Sequence, residues 1–339
     1  MASLDVFSSN AFSMQELTAA LLDRPHVPSR LGELGIFEAR GVRTLKVSVE
    51  KRGSQLVLVQ TTPRNAPAIQ GQKNLRTLID VPTSRIAIDD AVTADEVQSI
   101  RAFGSESELR TISEELMERL GDHSQSIDAT EEHQRIGAMK GTVLDADGST
   151  LIDLFTTFGV SAQAEVAMDF GNTTEGALRT KVNTSIIRPI EVDLGGLPYT
   201  GIHVMCSSQF FDDLVAHAEV RNAMKGFPEG MRLLLGRTAR RTLDFAGVMW
   251  EEYRGAVGAT KYVADDKAHA FPVGVPGLFL SRYAPAEYAE TVNTVGLPRY
   301  VVPNPDNGDT KSRRTFRVQS QALHICTRPR TLFPLRRGA

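Results

Sequence analysis

The residues best placed to do chemistry stand together in Val143-Leu144-Asp145-Ala146-Asp147-Gly148-Ser149-Thr150-Leu151. Two carboxylates, one residue apart, follow a short apolar run. At the end of a strand such a pair could attack a phosphate with one carboxylate and protonate the leaving group with the other, Mg²⁺ lying between them. The same Asp-Ala-Asp-Gly run is good turn chemistry, because Asp side chains bond their own backbone and Gly accepts a left-handed conformation.

The motif resembles the signature of the haloacid-dehalogenase phosphatases, with Asp145 as nucleophile and Asp147 as acid/base. It departs from that signature in three ways. Ser149-Thr150 stands where the family has Thr followed by an aliphatic residue. The motif lies mid-chain behind a long helical pattern, not on a first strand. Asp212-Asp213 at a helix start and Asp265-Asp266 in a loop do not complete the lysine and acidic-pair context. Turn chemistry is the favoured reading. There is no Gly-x-Ser-x-Gly elbow, residues 255–261 fail the phosphate-loop spacing, and no G-x-G-x-x-G follows a strand. The seven histidines (26, 123, 133, 203, 217, 269 and 324) lack i, i+4 pairing, which argues against zinc. No catalytic residue, cofactor or metal site is expected, and Trp250 and the tyrosines are read as core or interface.

What positions the Asp pair is the stretch 105–160. Apolar residues recur at Leu109, Ile112, Leu116, Leu120, Ile127, Ile136 and Met139, steps that keep one stripe on one side of a helix. Glu106, Glu108, Glu114, Glu115, Glu118, Glu131 and Glu132 are helix formers expected to keep the opposite face wet. Gly121 marks a candidate kink, and Gly137 and Gly141 sit where a helix can close. Thr142-Val143-Leu144, the Asp-Gly turn and a second β-rich run over 150–158 then read as a hairpin. A helix of about 30 residues spans roughly 45 Å, more than the width of a small domain.

The chain has 339 residues, 41% hydrophobic and 23% charged, which is the composition of a soluble globular protein of about two domains. No apolar run approaches the roughly 18 residues needed to cross a bilayer, and no secretory signal is visible. Cys206 and Cys326 are read as reduced, buried thiols. The net charge of −3 hides a segregation. Residues 35–78 hold eight Lys/Arg against two Glu, residues 79–170 hold six basic against nineteen acidic residues, and residues 311–339 hold eight basic residues and no acidic one. Such blocks are ordinarily solvated faces, and they also let copies of the chain attract one another. No helix–turn–helix, zinc finger or aromatic-interleaved basic sheet is readable.

Along the chain, Ser13-Met14-Gln15-Glu16 has the capping-box spacing before Leu17, Leu21 and Leu22, and Pro25 ends that helix. This thin segment is either a loose terminus or an arm that orders against something else. Leu45, Val47 and Val49 alternate as a strand. A long hairpin is expected, with residues 56–60 going out, 76–80 returning and 61–75 at its tip, and its open edges are a liability unless a neighbour covers them. Residues 85–88 read as strand and 95–100 as a short helix. Residues 180–190 read as a strand, 202–206 as a buried strand, and Ser207 or Ser208 as the cap of one helix reaching Met224, stopped by Gly226. Two strands surround Phe245, Val248 and Trp250. Residues 271–280 read as an ordered loop, 303–308 as a turn and 315–326 as the last strand. The whole is α+β.

The chain resembles the major capsid protein E family of lambda-like tailed phages. The likeness is carried by Leu34-Gly35-Ile36-Phe37-Glu38, Thr61-Thr62-Pro63-Arg64-Asn65-Ala66-Pro67, Thr93-Ala94-Asp95-Glu96-Val97-Gln98-Ser99-Ile100-Arg101-Ala102-Phe103-Gly104, Ile127-Asp128-Ala129-Thr130-Glu131-Glu132-His133, Gly137-Ala138-Met139-Lys140-Gly141, the Asp145–Gly148 turn, residues 271–279 and residues 283–293. It covers about 31–330, and the order of the pieces is what makes it specific.

The resemblance implies the tailed-phage major capsid fold of the Hong Kong 97 phage type. Residues 1–35 would be the N-arm, 36–88 the E-loop and its supporting strands, 89–177 the P-domain with spine helix and hairpin, 178–309 the A-domain, and 310–339 the P-domain's C-terminal strand and basic tail. It implies a structural protein, not an enzyme, that assembles as hexamers and pentamers into an icosahedral shell packaging double-stranded DNA. The partners implied are copies of itself, a separate scaffold protein, a portal, a decoration protein, and DNA contacted non-specifically, with no membrane. The location implied is the virion capsid, assembled in the host cytoplasm and matured from a procapsid. Inter-subunit contacts are expected at Arg43, Arg64, Lys73 and Arg76 of the basic block and at Glu114 and Glu118 of the acidic helix. Some relatives of the fold join an E-loop lysine to an asparagine, for which Lys73 with Asn304 or Asn307 would serve, but lambda-like capsids do without the link. An encapsulin-like compartment or gene-transfer particle would share the fold, and a Mg-dependent phosphatase using Asp145 and Asp147 is the reading from another class.

Overall fold

A computed structural model of the chain describes residues 13–22, 30–52, 76–99, 108–224, 241–257, 260–310 and 312–338. Two compact units emerge, one of Met1–Val47, Asp80–Gln134 and Leu280–His324, the other of Ser48–Ile79, Arg135–Phe279 and Ile325–Ala339.

The long helix is Glu108–Lys140, 33 residues, and it runs unbroken through Gly121. Its apolar stripe does what the spacing predicts. Leu116, Leu120 and Ile127 are buried against Leu17 and Leu21 of the helix Met14–Leu22 and against Val92, Val301, Phe316 and Val318. The thin N-terminal segment therefore orders, over Met14–Leu22, against the chain's own first unit. Its capping box forms in part, the Glu16 N–H donating to Ser13 Oγ at 3.3 Å. A reciprocal box opens the helix Ala94–Ser99: Thr93 N–H donates to Glu96 Oε2 at 3.0 Å and Glu96 N–H to Thr93 Oγ1 at 3.4 Å.

The first unit's sheet is built on the strand Arg313–Cys326, longer than expected. Ser84–Thr93 pairs with it antiparallel from Ser84 opposite Ala322 to Thr93 opposite Arg313, and Tyr300–Pro303 pairs with it at Val301 opposite Val318. Phe279–Tyr283 and then Phe37–Gly41 complete the sheet. The strand Lys46–Arg52 pairs with Arg76–Pro82 in a two-stranded ribbon, so the returning strand's partner among the described residues is Lys46–Arg52. The outgoing run 56–60 and the tip 61–75 lie outside the described residues.

The second unit holds a six-stranded sheet in the order Val166–Ala167, Phe333–Arg336, Lys267–Val273, Gly201–Cys206, Val248–Glu252, Thr242–Phe245. Trp250, Phe210, Phe211 and Phe271 are fully buried around it, and Cys206 and Cys326 are buried free thiols.

Four expectations need correction. The run expected as a strand at 180–190 is helical: Ala177–Val182, a wide turn at Asn183–Ile187, then Arg188–Leu194. Its buried residues are Leu178, Val182, Ile186, Ile190 and Leu194, four apart each time. Strict fours outrun a helix of 3.6 residues per turn, and the wide turn brings the stripe back into line. Pro189, which has no N–H to return to Ser185, is what loosens the helix there. The second hairpin strand stops at Asp153, whose carboxylate caps the helix Leu154–Phe158 by accepting from Phe155 N–H at 2.9 Å. The helix after Ser207 is two helices, Ser208–Ala216 and Ala218–Met224, broken where His217 turns extended; Gly226 lies outside the described residues. Half of 271–280 is strand, at 271–273 and 279–280; Pro272 lies within the first of these strands, and Gly274, Pro276 and Gly277 make the turn between Lys267–Val273 and Phe279–Tyr283.

Candidate assembly surface

The Asp pair is a turn. Asp145 N–H donates to the Ser149 carbonyl at 2.8 Å, and Gly148 N–H to the Asp145 carbonyl at 3.0 Å. Both carboxylates serve the same turn: Asp145 Oδ1 accepts from Ala146 N–H at 2.7 Å and Asp147 Oδ1 from Ser149 N–H at 2.8 Å. Hydrogen bonds from Ser149 hold the Asp147 carboxyl below its usual range. Among the described residues no group of three or more His, Cys, Asp or Glu could hold a metal ion. A cleft of about 330 Å³ in the second unit is lined by Phe170, Gly171, Asp213, Ala216, His217, Arg337 and Gly338. Its polar groups are bonded already: Arg337 to Asp213 and Asp266, and His217 Nε2 at 2.9 Å to the Asn172 carbonyl.

A second constellation, in the first unit, has the residue types of a hydrolase triad. Ser281 Oγ is 2.7 Å from His324 Nδ1, and His324 Nε2 is 3.9 Å from Glu131 Oε2. All three are at most 1% exposed, so no substrate reaches them. They belong to a buried clamp. Glu131 Oε1 accepts from Arg299 Nη1 at 2.5 Å and from Ser320 Oγ at 2.7 Å, and Arg299 also bonds Asp128. Burial works against the Arg299 charge, and Glu131 and Asp128 more than offset it, raising its pKa. Next along the helix, Glu132 Oε1 accepts from the backbone N–H of Leu31 at 2.8 Å. Glu131 and Glu132 were expected on the wet face and are buried instead. Glu131 stands four residues after Ile127, on the apolar stripe, and that spacing was the signal available in the sequence.

The expected contact residues are the remaining candidates. Of the six expected contact residues, Arg64 and Lys73 lie outside the described residues. Arg76 falls on the ribbon strand and Glu114 on the long helix. Arg43, after the strand Phe37–Gly41, and Glu118 are exposed, with no ion pair among the described residues. Five arginines of the basic C-terminal block are paired with acids, Arg337 among them, while Arg313 and Arg328 donate to the carbonyls of Gly308 and Leu194. Arg317 bonds Asp89 at 2.5 Å and Asp306 at 2.7 Å, Arg314 pairs with Asp309, Arg330 with Asp193 and Arg336 with Glu165.

The model of the family described as phage major capsid protein E matches residues 13–336. The chain belongs to that family. It is a capsid subunit, and the family's product is the shell of a phage virion. The major capsid protein of Pseudomonas phage KPP10 is 26% identical over 310 residues, covering 86% of this chain and 88% of the relative. The major capsid protein of Salmonella phage Felix O1 is 24% identical and covers 97% of both. Among solved structures, a candidate prophage capsid protein of E. coli CFT073 superposes with a TM-score of 0.55 at 13% identity, over 96% of this chain and 98% of that one. That likeness places the fold among tailed-phage capsid proteins of the Hong Kong 97 phage type. No helix among the described residues is long and apolar enough to cross a membrane.

Proposed function

We propose that this subunit assembles as hexamers and pentamers into an icosahedral shell that packages double-stranded DNA, and that it carries no catalytic activity. The family match across residues 13–336 is the observation that carries this reading. Residues 1–35 act as N-arm, 36–88 as E-loop with its strands, 89–177 and 310–339 as P-domain, and 178–309 as A-domain. The paired strands Lys46–Arg52 and Arg76–Pro82 support the E-loop assignment, since such a ribbon offers edges for a neighbour to cover. Binding summed over many copies then stabilises the shell beyond any one contact.

Arg43, Arg64, Lys73, Arg76, Glu114 and Glu118 make contacts with neighbouring copies in this reading. A separate scaffold, a portal and a decoration protein complete the particle. DNA is held non-specifically through its phosphates, and five of the C-terminal arginines, 314, 317, 330, 336 and 337, are already paired with acids. Deleting residues 61–75 tests the E-loop role. The subunit is expected to keep the circular dichroism of the parent and to lose closed particles in microscopy. Normal particles from the deletion would contradict the assignment.

A further inference from the structure

Nine large hydrophobic side chains are exposed among the described residues, and three of them fall in one turn: Val292, 66% exposed, Val295, 48%, and Leu297, 38%. Scattered exposed apolar residues need no explanation, whereas three within six positions do. The turn is fixed in shape. Thr291, buried, donates through Oγ1 to the Ala286 carbonyl at 2.6 Å, Thr294 N–H reaches the Thr291 carbonyl at 3.2 Å, and Leu297 N–H donates to the Tyr300 hydroxyl at 2.9 Å. Asn293 takes a left-handed conformation, φ +61°, which asparagine tolerates better than most residues. Gly296 N–H donates to the Val42 carbonyl at 2.9 Å, and a Cβ on Gly296 would lie 2.1 Å from the Tyr283 carbonyl oxygen. The backbone is thus pressed onto the strand-end residues Val42 and Tyr283, Val295 packs partly over Gly41, and Val292 is the side chain held furthest out in water.

An exposed acid and an exposed base adjoin the turn and the residue it is bonded to. Glu290 precedes it, and Arg43 follows Val42, the residue to which Gly296 is bonded. Both are exposed and have no ion pair among the described residues. An apolar knob adjoined by an acid and a base is self-complementary: when copies meet around a symmetry axis, the knobs pack together and Glu290 of one copy lies beside Arg43 of the next.

We infer that the turn 292–297 is a contact surface for a second copy of this chain, with Val292 and Val295 as its apolar core. The inference rests on the shell reading above, and its test separates the two. The full-length chain is expressed with Val292→Lys and Val295→Lys together, and in parallel with a benzophenone-bearing amino acid at position 292. The lysine variant is expected to keep the parent's melting temperature and to need about tenfold more protein, or greater, to reach half-assembly. The photo-crosslinked chain is expected to run as covalent dimers of itself from assembled particles. Shells from the parent with unchanged assembly of the lysine variant, or crosslinks only to a different protein, overturn the contact and leave the shell reading intact. No shells from the parent overturns the shell reading itself.

Discussion

Arg299 Nη1 lies 2.5 Å from Glu131 Oε1 in a buried ion pair that ties the long helix to the sheet of the first unit. The two residues are 168 positions apart in sequence, 5% and 1% exposed. Removing the Glu131 charge leaves Arg299 with Asp128 as its remaining charged partner. Glu131→Gln is therefore expected to cost about 1.5–3 kcal/mol, read as a lower urea midpoint of the isolated subunit. A change below about 1 kcal/mol would show that the pair bears little of the helix's attachment.

Gly137 lies inside the long helix, where alanine would ordinarily gain about 1 kcal/mol. Here a Cβ would sit 2.8 Å from the Thr142 carbonyl oxygen and 2.8 Å from Val143 Cα, both backbone atoms that cannot swing aside. The steric term wins. Gly137→Ala is expected to lower stability by about 1–3 kcal/mol, measurable as a lower melting temperature. An unchanged or higher melting temperature would mean that the hairpin can back away from the helix.

His269, on the strand Lys267–Val273, is half-buried, and desolvation together with Lys140 and Lys267 pushes its pKa down from 6.5 to about 3. Between those values the unfolded chain takes up a proton that the folded chain refuses. Stability therefore falls as the pH is lowered from 6.5, with a limiting slope of about 1.4 kcal/mol per pH unit. Asp89, whose carboxyl is held below its usual 3.8 chiefly by its hydrogen bond from Arg317, loses its contribution only at lower pH. Urea unfolding at pH 7 and pH 5 is expected to show the loss, and His269→Gln is expected to flatten that interval. Equal slopes in the two proteins would assign the acid sensitivity elsewhere.

How far the sequence disclosed this molecule follows from the range of the interactions involved. The helix Glu108–Lys140, the hairpin after it and the caps at Ser13 and Ser207 were legible because their signals lie within a few residues: a 3.6-residue stripe, an Asp-Gly turn, a hydroxyl before a helix. The helix over 177–194 was misread because its β-branched residues mimic a strand, and because Pro189 and the wide turn disguise a four-residue spacing. The clamp was illegible. Glu131, Ser281, Arg299, Ser320 and His324 come together only through tertiary packing, and each taken alone looks like an ordinary polar residue. The Asp145 and Asp147 pair shows the reverse, a motif whose local turn chemistry accounts for all of it. The surface residues split the same way: charge blocks are visible in a sequence, but the exposure of Val292 and Val295 is not.

Arg43 and Glu290 carry a prediction about assembly. Arg43→Glu alone and Glu290→Arg alone are each expected to slow particle formation followed by light scattering, and the double exchange to restore part of it, as expected of two charges that meet between copies. Raising the salt concentration should shrink the difference between variants, since exposed charges are screened. Single exchanges that assemble at the parent rate would remove this pair from the interface.

The most direct measurement is negative-stain microscopy of the purified full-length chain, expressed with and without a co-expressed scaffold protein. Uniform closed shells, or rings of five and six subunits, are the predicted result. A monodisperse monomer that forms neither, under every condition tried, would contradict the assembly of this chain into a capsid.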